Sequence, residues 1–280
     1  MMIGTLTIVG VGLIGGSIGL AAKKRGLARN IVGVGRSSRS LSEALELGIA
    51  NVVTTSLTEG VVDADMVVFC TPVESIVPQV MEAASSCSPG TVLTDAGSTK
   101  SAIVRGLDDK LPAEVHFIGS HPLAGSEKRG PTFADANLFE KKVVVVTPTE
   151  QSDANALQKI HEFWSALGSR VVEMSPEDHD RALAVTSHLP HLLASALAGI
   201  VPEEYKPLCA TGFRDTTRIA AGDPIIWSGI FKQNRDAVLQ ALRSLTGRLA
   251  ELERALHDED WQTIDRLLRE AKAARDSLEG

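Results

Sequence analysis

The fold of this chain is predicted from one stretch near its start, Thr5-Leu6-Thr7-Ile8-Val9-Gly10-Val11-Gly12-Leu13-Ile14-Gly15-Gly16-Ser17. It joins an apolar, β-branched strand to a G-x-G-x-x-G turn and then to helical sequence. Small residues in such a turn let the backbone approach a pyrophosphate group at the N-terminus of a helix. The motif alone has low specificity, but its position between a strand and a helix favours a dinucleotide-binding turn. The predicted cofactor-binding residues of this turn are Gly10, Gly12, Leu13, Ile14 and Gly15.

Short apolar runs alternate with helical stretches from this turn to about residue 175. The predicted strands are Thr5 to Val9, Ile31 to Val34, Met66 to Cys70, Thr91 to Thr94, His116 to Gly119, Val143 to Thr147 and Arg170 to Met174. The predicted helices between them include Ser17 to Arg25, Leu41 to Leu47, Ile76 to Ser85 and Ala154 to Leu167. Strands that are apolar on both faces and separated by helices indicate a parallel sheet covered on both sides. The prediction is an α/β protein, with an N-terminal doubly wound parallel-sheet (Rossmann) domain over residues 1–175 and an all-helical C-terminal domain over residues 176–280.

The C-terminal part has helical periodicity that is interrupted by prolines. One apolar stripe has a 4,3,4,3,4 spacing and consists of Val238, Leu242, Leu245, Leu249, Leu252 and Leu256. This spacing is typical of a helix that packs along another helix. Either an intramolecular bundle or a subunit interface uses such a stripe, and we expect a homodimer formed through the C-terminal helices.

The composition excludes several classes of protein. The chain has 280 residues, of which 44% are hydrophobic and 22% charged, and this is ordinary globular usage rather than that of a disordered or collagen-like chain. A formal net charge of −7 argues against a nucleic-acid-binding surface. Three scattered cysteines are too few for a disulfide framework and fit a reducing cytoplasm. The uncharged stretch Met2 to Ala22 lacks a preceding basic region and contains six glycines, so we expect neither a signal peptide nor a membrane span.

The second predicted strand ends without the acidic residue that NAD-binding versions of the turn use. That residue lies about twenty positions after the turn and binds the adenosine ribose. The corresponding position here is Gly35, and the chain has no Asp or Glu before Glu43. The arginine and serine side chains after Gly35 suit a 2′-phosphate, so NADP is the predicted cofactor and NAD the alternative. The remaining predicted cofactor-binding residues are Arg36, Ser37, Arg39, Thr71 and Pro72.

Polar side chains follow two other strands of the predicted sheet. His121 comes after the strand His116 to Gly119, at the sheet edge where open α/β proteins bind ligands in a crevice. Ser98 follows the strand Thr91 to Thr94, and we expect it to reach the same crevice. His188 and His191 are three residues apart, but no third ligand lies at helical spacing, so no metal site is predicted.

Together these motifs resemble the prephenate/arogenate dehydrogenase family of tyrosine biosynthesis over nearly the whole chain. The residues that carry the resemblance are Gly10 to Ser17, Asp95 to Lys100, His121 to Gly130, His188 to His191, Gly212 to Ile219, Asp223-Pro224 and Trp227. The resemblance implies an oxidoreductase that converts prephenate to 4-hydroxyphenylpyruvate by NAD(P)-dependent oxidative decarboxylation. In that reaction a hydride leaves ring carbon C4 for the nicotinamide, CO2 departs and the ring becomes aromatic.

The resemblance also implies roles for individual residues. His121 and Ser98 match the catalytic pair: a neutral imidazole takes the proton of the C4 hydroxyl, and the serine helps to orient that group. Arg218 matches the arginine that binds the ring carboxylate through its planar guanidinium. Further residues that match positions lining or supporting the substrate pocket are Ser126, Glu127, His188, His191, Arg214, Asp215 and Trp227.

Alternatives to this reading differ in substrate or in activity. Arogenate, which bears an amine where prephenate bears a keto group, is the alternative substrate. A β-hydroxyacid dehydrogenase-like enzyme shares the same N-terminal fold with a helical second domain, but its proton-transfer group is commonly a Lys or Asp of that second domain. A nucleotide-binding sensor that has lost turnover is the non-enzymatic alternative.

Overall fold

The fold is described by a computed structural model, which covers residues 2–126 and 128–278. Glu127 lies outside the described residues, so its predicted place in the substrate pocket stays a prediction. The chain forms two compact units, one ending at Arg235 and the other beginning at Asp236.

An eight-stranded sheet organises the first unit. Its strands are β1 (Ile3–Val9), β2 (Ala28–Val34), β3 (Val52–Thr54), β4 (Met66–Phe69), β5 (Val92–Asp95), β6 (His116–Pro122), β7 (Val143–Thr147) and β8 (Arg170–Glu173). Their spatial order is β3-β2-β1-β4-β5-β6-β7-β8. The order reverses at β1, because β2 lies on one side of it and β4 on the other, and this is the point at which a doubly wound sheet binds ligand. The predicted Rossmann-type α/β fold is thereby confirmed, and β3 is a strand that the sequence patterns did not reveal.

Helices connect the strands and then make up the remainder of the chain. They are α1 (Leu13–Lys24), α2 (Ser38–Glu46), α3 (Leu57–Val61), α4 (Val73–Ala84), α5 (Ser101–Leu107), α6 (Ala154–Ala166), α7 (Pro176–Leu183), α8 (Leu189–Gly199), α9 (Thr211–Thr217), α10 (Pro224–Gln233), α11 (Arg235–His257) and α12 (Trp261–Asp276). A single π-helical turn, Ala184–His188, joins α7 to α8. The predicted change from α/β to helical sequence therefore falls between the end of β8 and the start of α7.

The last two strands depart from the parallel arrangement expected from the sequence. β6 pairs with β7 in antiparallel register, with His121 opposite Val145, and β7 pairs with β8 in parallel. A parallel return needs a crossover segment, usually a helix. In the described part of the connection from 123 to 142, the helical structure is limited to the short 3-10 turn Pro131–Phe133, so the chain reverses direction instead.

The central strands of the sheet are buried on both faces. Alternate residues of one strand serve opposite sides: Val68 belongs to the cluster that contains Trp164 of α6, whereas Phe69 belongs to the cluster that contains Ile76 of α4. Strands buried in this way carry continuous apolar runs, which is why the sequence revealed most of them.

The uncharged N-terminal stretch Met2 to Ala22 is divided between β1 and α1. Over residues 2–126 and 128–278, no helix combines the length and the apolar character needed to cross a lipid bilayer.

Residues from Asp236 onward form a helical unit of their own. Two arginines and two glutamates link α11 to α12 in a network in which Arg248 contacts Glu251 and Glu270, and Arg266 contacts the same two carboxylates. Leu249 of the predicted apolar stripe is 50% exposed, so part of the stripe remains on the surface.

Candidate active site

The turn between β1 and α1 has the geometry of a phosphate cradle. Gly10 has a φ of +95°, a conformation that favours glycine. A Cβ at Gly15 would lie 2.1 Å from the carbonyl oxygen of Gly10, so only glycine allows the helix to start this close to the strand. Gly12 precedes the first turn of α1 and has no side chain to accept hydrogen bonds from the first amides. These amides are therefore suited to an anion.

A cavity of about 820 Å³ opens from this turn along the carboxyl edge of β1, β2 and β4. Its size and its glycine-rich floor fit a dinucleotide. The predicted cofactor residues that line it are Gly10, Gly12, Arg36, Ser37, Thr71 and Pro72. The other predicted turn residues, Leu13, Ile14 and Gly15, form the first turn of α1.

The two arginines after β2 differ in their surroundings. Arg36 lines the cavity and is exposed to solvent. Arg39 instead pairs with Glu43 one helical turn later, with its Nε 3.0 Å from the carboxylate. The Ser37 hydroxyl lines the cavity but already accepts a hydrogen bond from the Ser40 amide, which caps α2. Arg36 is therefore the cation best placed for a phosphate on the ribose.

The predicted catalytic histidine begins a buried hydrogen-bonded relay. His121 lies in β6 and is 9% exposed, and its Nδ1 is 2.9 Å from Nε2 of His179 in α7. His179 Nδ1 is in turn 2.8 Å from the carboxylate of Asp180. That carboxylate also accepts hydrogen bonds from the amides of Lys100 (2.8 Å) and Ser101 (2.9 Å).

These contacts determine which ring nitrogens carry protons. Burial alone raises the pKa of Asp180, but the hydrogen bonds from His179 and two backbone amides outweigh burial, so the pKa is lowered and the group is an anion. An anionic carboxylate accepts, so His179 donates through Nδ1 and its Nε2 is an acceptor. His121 then donates through Nδ1, and Nε2 is left as its basic nitrogen.

The electrostatic surroundings keep His121 neutral. Burial lowers its pKa well below the ordinary 6.5, and electrostatic interactions with His179, Lys100 and His188 add to that effect. Burial likewise lowers the pKa of His179, although its hydrogen bond to Asp180 opposes the shift. A neutral imidazole with a defined tautomer is the form that can accept a proton from a substrate hydroxyl.

A buried ion pair supports the strand end that carries His121. Lys100 and Asp95 are both fully buried and form an ion pair through Nζ and the carboxylate. Lys100 Nζ also donates to the Ser120 carbonyl (3.0 Å), and the other Asp95 oxygen accepts from the Ser120 amide (3.0 Å). The backbone next to His121 is therefore held from both sides.

An aromatic cluster near the relay contains three of the predicted substrate residues. His191 stacks on Trp227 with ring centroids 3.6 Å apart, and His188 meets the same indole edge-on at 6.1 Å. Asn234 joins this cluster to the relay, because its Nδ2 lies 3.0 Å from His188 Nδ1 and 2.7 Å from the carbonyl oxygen of Asp180. Ser98 is half-buried, and its backbone lies beside the His188 ring.

The remaining predicted substrate residues lie in exposed segments. Arg214 and Asp215 are exposed in α9, and Arg214 Nε donates to the Cys209 carbonyl at 3.0 Å. Arg218 is exposed at the start of the 3-10 turn that follows α9. Ser126 is also exposed, and its hydroxyl accepts a hydrogen bond from the Lys128 amide.

The sequence patterns did not reveal three residues that contact the predicted site, His179, Asp180 and Asn234, or the ion pair made by Lys100. His179 and Asp180 lie in the acidic first part of a helix, where a polar run is normally solvated. Their partners are distant in sequence, 58 residues away for His121 and 80 for the Lys100 amide. No local spacing signals such a pairing, and only the packing of α7 against the sheet edge creates it.

Comparison with known proteins shows the family to which the chain belongs. The sequence profile described as "Prephenate dehydrogenase, nucleotide-binding domain" matches residues 18–173, and "Prephenate dehydrogenase, dimerization domain" matches residues 175–270. The prephenate dehydrogenase of Bacillus subtilis is 36% identical over 98% of this chain and 76% of its own length. The cyclohexadienyl dehydrogenase of Zymomonas mobilis is 33% identical over 98% of this chain and 95% of its own.

A solved structure is similar along the whole chain. The crystal structure of a dehydrogenase from A. aeolicus, which holds hydroxyphenyl propionate and NAD+, superposes with a TM-score of 0.92 at 33% identity and covers 99% of both chains. The agreement extends over the Rossmann-type sheet and the helices that follow it.

Proposed function

The chain belongs to the prephenate dehydrogenase family and is an oxidoreductase that converts prephenate to 4-hydroxyphenylpyruvate, and we propose that His121 is the base of this reaction and NADP its preferred cofactor. The observation that carries the assignment of the base is the relay from His121 through His179 to Asp180. It presents a neutral Nε2 with a free lone pair, as removal of a hydroxyl proton requires.

The dinucleotide supplies the acceptor for the hydride that leaves C4. His121 Nε2 takes the proton of the C4 hydroxyl, so that electrons on that oxygen can drive the hydride out. Loss of CO2 then sends an electron pair through the ring to the oxygen, and His121 can return the proton to form the phenol. Ser98 helps to orient the hydroxyl. The buried relay holds the imidazole of His121 in one orientation and in one tautomer.

The base assignment is tested with His121→Asn. General-base catalysis is typically worth about 10²- to 10⁴-fold, so kcat should fall by that factor. The dissociation constant for the dinucleotide should stay unchanged, because the cavity beside the β1–α1 turn does not include His121. A variant that keeps full turnover of prephenate would exclude His121 as the base.

The preference for NADP is supported by Arg36 in the cavity lining and by the lack of an acidic residue before Glu43. Arg36→Ala should raise KM for NADP by about tenfold or more and leave KM for NAD nearly unchanged, since only the 2′-phosphate is lost as a partner. Arg39→Ala is the matched control, because Arg39 already pairs with Glu43. A wild-type enzyme with higher kcat/KM for NAD at matched concentrations would refute the preference.

The substrate carboxylates require cations, which an acidic chain must supply locally. We assign the ring carboxylate to Arg218. Arg218→Ala should mainly raise KM for prephenate, because a charge-assisted contact worth about 1.5–3 kcal/mol is lost in the ground state. Offering prephenate and arogenate in the same assay decides between the two substrates. The residues proposed to line or support the pocket are Ser126, Glu127, His188, His191, Arg214, Asp215 and Trp227.

The two parts of the chain are proposed to have different functions, with the boundary at the change from α/β to helical structure. Residues 1–175 would bind the dinucleotide, and residues 176–280 would bind substrate and form a homodimer through the C-terminal helices. The exposed leucines of α11 and the profile match over 175–270 support this dimer, and sedimentation equilibrium tests it. The three free cysteines suit a cytoplasmic location.

A further inference from the structure

Asn234 occupies the end of α10 and is 5% exposed. One atom, Nδ2, makes both of its contacts: 2.7 Å to the Asp180 carbonyl oxygen and 3.0 Å to Nδ1 of His188. A carbonyl oxygen only accepts hydrogen bonds, so the amide nitrogen, and not its oxygen, must face this point. The orientation of the Asn234 amide follows from that contact.

The orientation of Asn234 in turn determines the tautomer of His188. An amide nitrogen only donates, so His188 Nδ1 has to accept, and the single proton of a neutral ring lies on Nε2. His188 is 1% exposed, and its Nε2 makes no hydrogen bond of ordinary length and angle to the described residues, although the Ser98 backbone lies close enough to the ring to raise its pKa. A buried N–H group without a partner is costly, and this points to a ligand oxygen as the acceptor that completes the site.

We propose that Asn234 is a positioning residue, which holds His188 as a neutral Nε2–H donor for an oxygen of the substrate. This rests on the proposed function of the same site. Asp180 influences both imidazoles. Its carboxylate accepts the hydrogen bond from His179, which in turn orients His121, and its backbone carbonyl accepts the hydrogen bond from Asn234, which orients His188. The result is an acceptor nitrogen on His121 and a donor nitrogen on His188. A substrate hydroxyl that must lose its proton needs the acceptor nitrogen of His121. A substrate oxygen that carries or gains negative charge needs the donor nitrogen of His188.

The charged surroundings of His188 are compatible with a neutral ring. Burial lowers its pKa to about 4, and nearby His179 and His191 act in the same direction. The charge of Asp180 and a backbone hydrogen bond with Ser98 oppose this fall in the pKa without reversing it. At neutral pH the ring therefore has one proton, and Asn234 decides which nitrogen holds it.

The tautomer can be measured without any substrate. Long-range ¹H–¹⁵N correlation spectra of the full chain labelled with ¹⁵N-histidine distinguish the two neutral forms, and His188→Gln identifies the signal. We expect the Nε2–H form from pH 7 down to about pH 5. A His188 in the Nδ1–H form would overturn the proposal, whatever the activity of the enzyme.

Two substitutions test the role of Asn234. Asn234→Leu removes both donors at similar volume, and we expect a mixture of the two tautomers. Asn234→Asp replaces the donors with acceptors, so His188 should be protonated at Nδ1 and titrate at higher pH. Asn155→Asp is the matched control, because it adds the same charge at an exposed position of α6.

The kinetic readout separates positioning from folding. Both Asn234 variants should lose about tenfold or more in kcat/KM for prephenate while binding the dinucleotide normally. The Asp variant alone should gain a pH dependence near neutrality. Variants that fold, bind the dinucleotide and show unchanged tautomer and kcat/KM would refute the proposal. Correct NMR behaviour in a protein that never turns over prephenate would instead refute the proposed function.

Discussion

Replacing His179 with leucine tests the relay on which the proposed mechanism depends. His179 is fully buried and touches neither solvent nor, in the proposed mechanism, the reacting atoms. In His179→Leu, the Nδ1–H group of His121 loses its acceptor at 2.9 Å, and Asp180 loses one of its three donors. The side chain of His121 remains present, so the effect of the substitution on the base comes through the orientation and tautomer of His121.

The expected fall in kcat of His179→Leu follows from the hydrogen bonds that the variant loses. A buried donor left without a partner costs about 1–3 kcal/mol, which corresponds to about a 5- to 150-fold change if the cost falls on the reactive form. The imidazole can avoid part of this cost by moving its proton to Nε2, and it then no longer acts as a base. Loss of the base altogether sets the upper limit of about 10²- to 10⁴-fold. We therefore expect kcat to fall by about ten- to a hundredfold.

The assay is steady-state reduction of the dinucleotide with saturating prephenate, compared between wild type and variant across pH. KM for the dinucleotide should not change. His179→Gln, whose amide oxygen can still accept from His121, should recover part of the loss. His161→Leu is the control for the same chemical change, since His161 pairs with Glu173 away from the relay. If His179→Leu folds normally and keeps wild-type kcat, the reasoning that the relay sets the state of His121 is wrong.

Three further predictions concern the turn, the buried ion pair and acid stability. Gly15→Ala should weaken both folding and dinucleotide binding, because its Cβ would meet the Gly10 carbonyl at 2.1 Å. The Cβ of Gly12→Ala meets no neighbour within 4 Å, so this variant should affect binding alone. Thermal melts measure the effect on folding, and NADPH fluorescence titration measures the effect on binding. Lys100→Met should lower the free energy of unfolding by about 3–5 kcal/mol in urea titrations, because it leaves the Asp95 carboxylate buried without its counter-ion. Stability should also fall as pH drops from 6.5 towards 4, by about 3 kcal/mol from His188 alone.

The sign of the pH effect follows from which state binds the proton first. The folded pKa of His188 is about 4 and its ordinary value is 6.5, so below pH 6.5 the unfolded chain is protonated before the folded one. Protonation therefore favours unfolding until the folded ring also titrates. A stability that is constant between pH 7 and pH 4.5 would contradict burial of neutral histidines. For the other two predictions, contrary outcomes are a Gly15→Ala variant that binds NADPH like wild type and a Lys100→Met variant of unchanged stability.

Local patterns were sufficient for most of the fold. The strand, glycine turn and helix of residues 5–17 predicted the β1–α1 unit, and continuous apolar runs revealed the long buried strands because both of their faces lack solvent. The three-residue strand β3 lacks such a run, since Val52 is exposed at the sheet edge, and it was missed. The antiparallel direction of β7 was missed as well, because strand direction depends on the route of the preceding connection and not on the residues of the strand.

The residue types and the glycines of the β1–α1 turn follow from the sequence alone. So does the place of His121 near the carboxyl end of a strand, although the sequence predicted it just after that strand and the structure has it within β6. The tautomer and protonation of that histidine depend instead on packing between distant parts of the chain. Its tautomer depends on His179 and Asp180, and the polarity of His188 depends on Asn234, through contacts that span 46 to 80 residues of chain. A hydrogen bond depends on where two atoms meet in space, and residues that far apart meet only when helices have packed against the sheet.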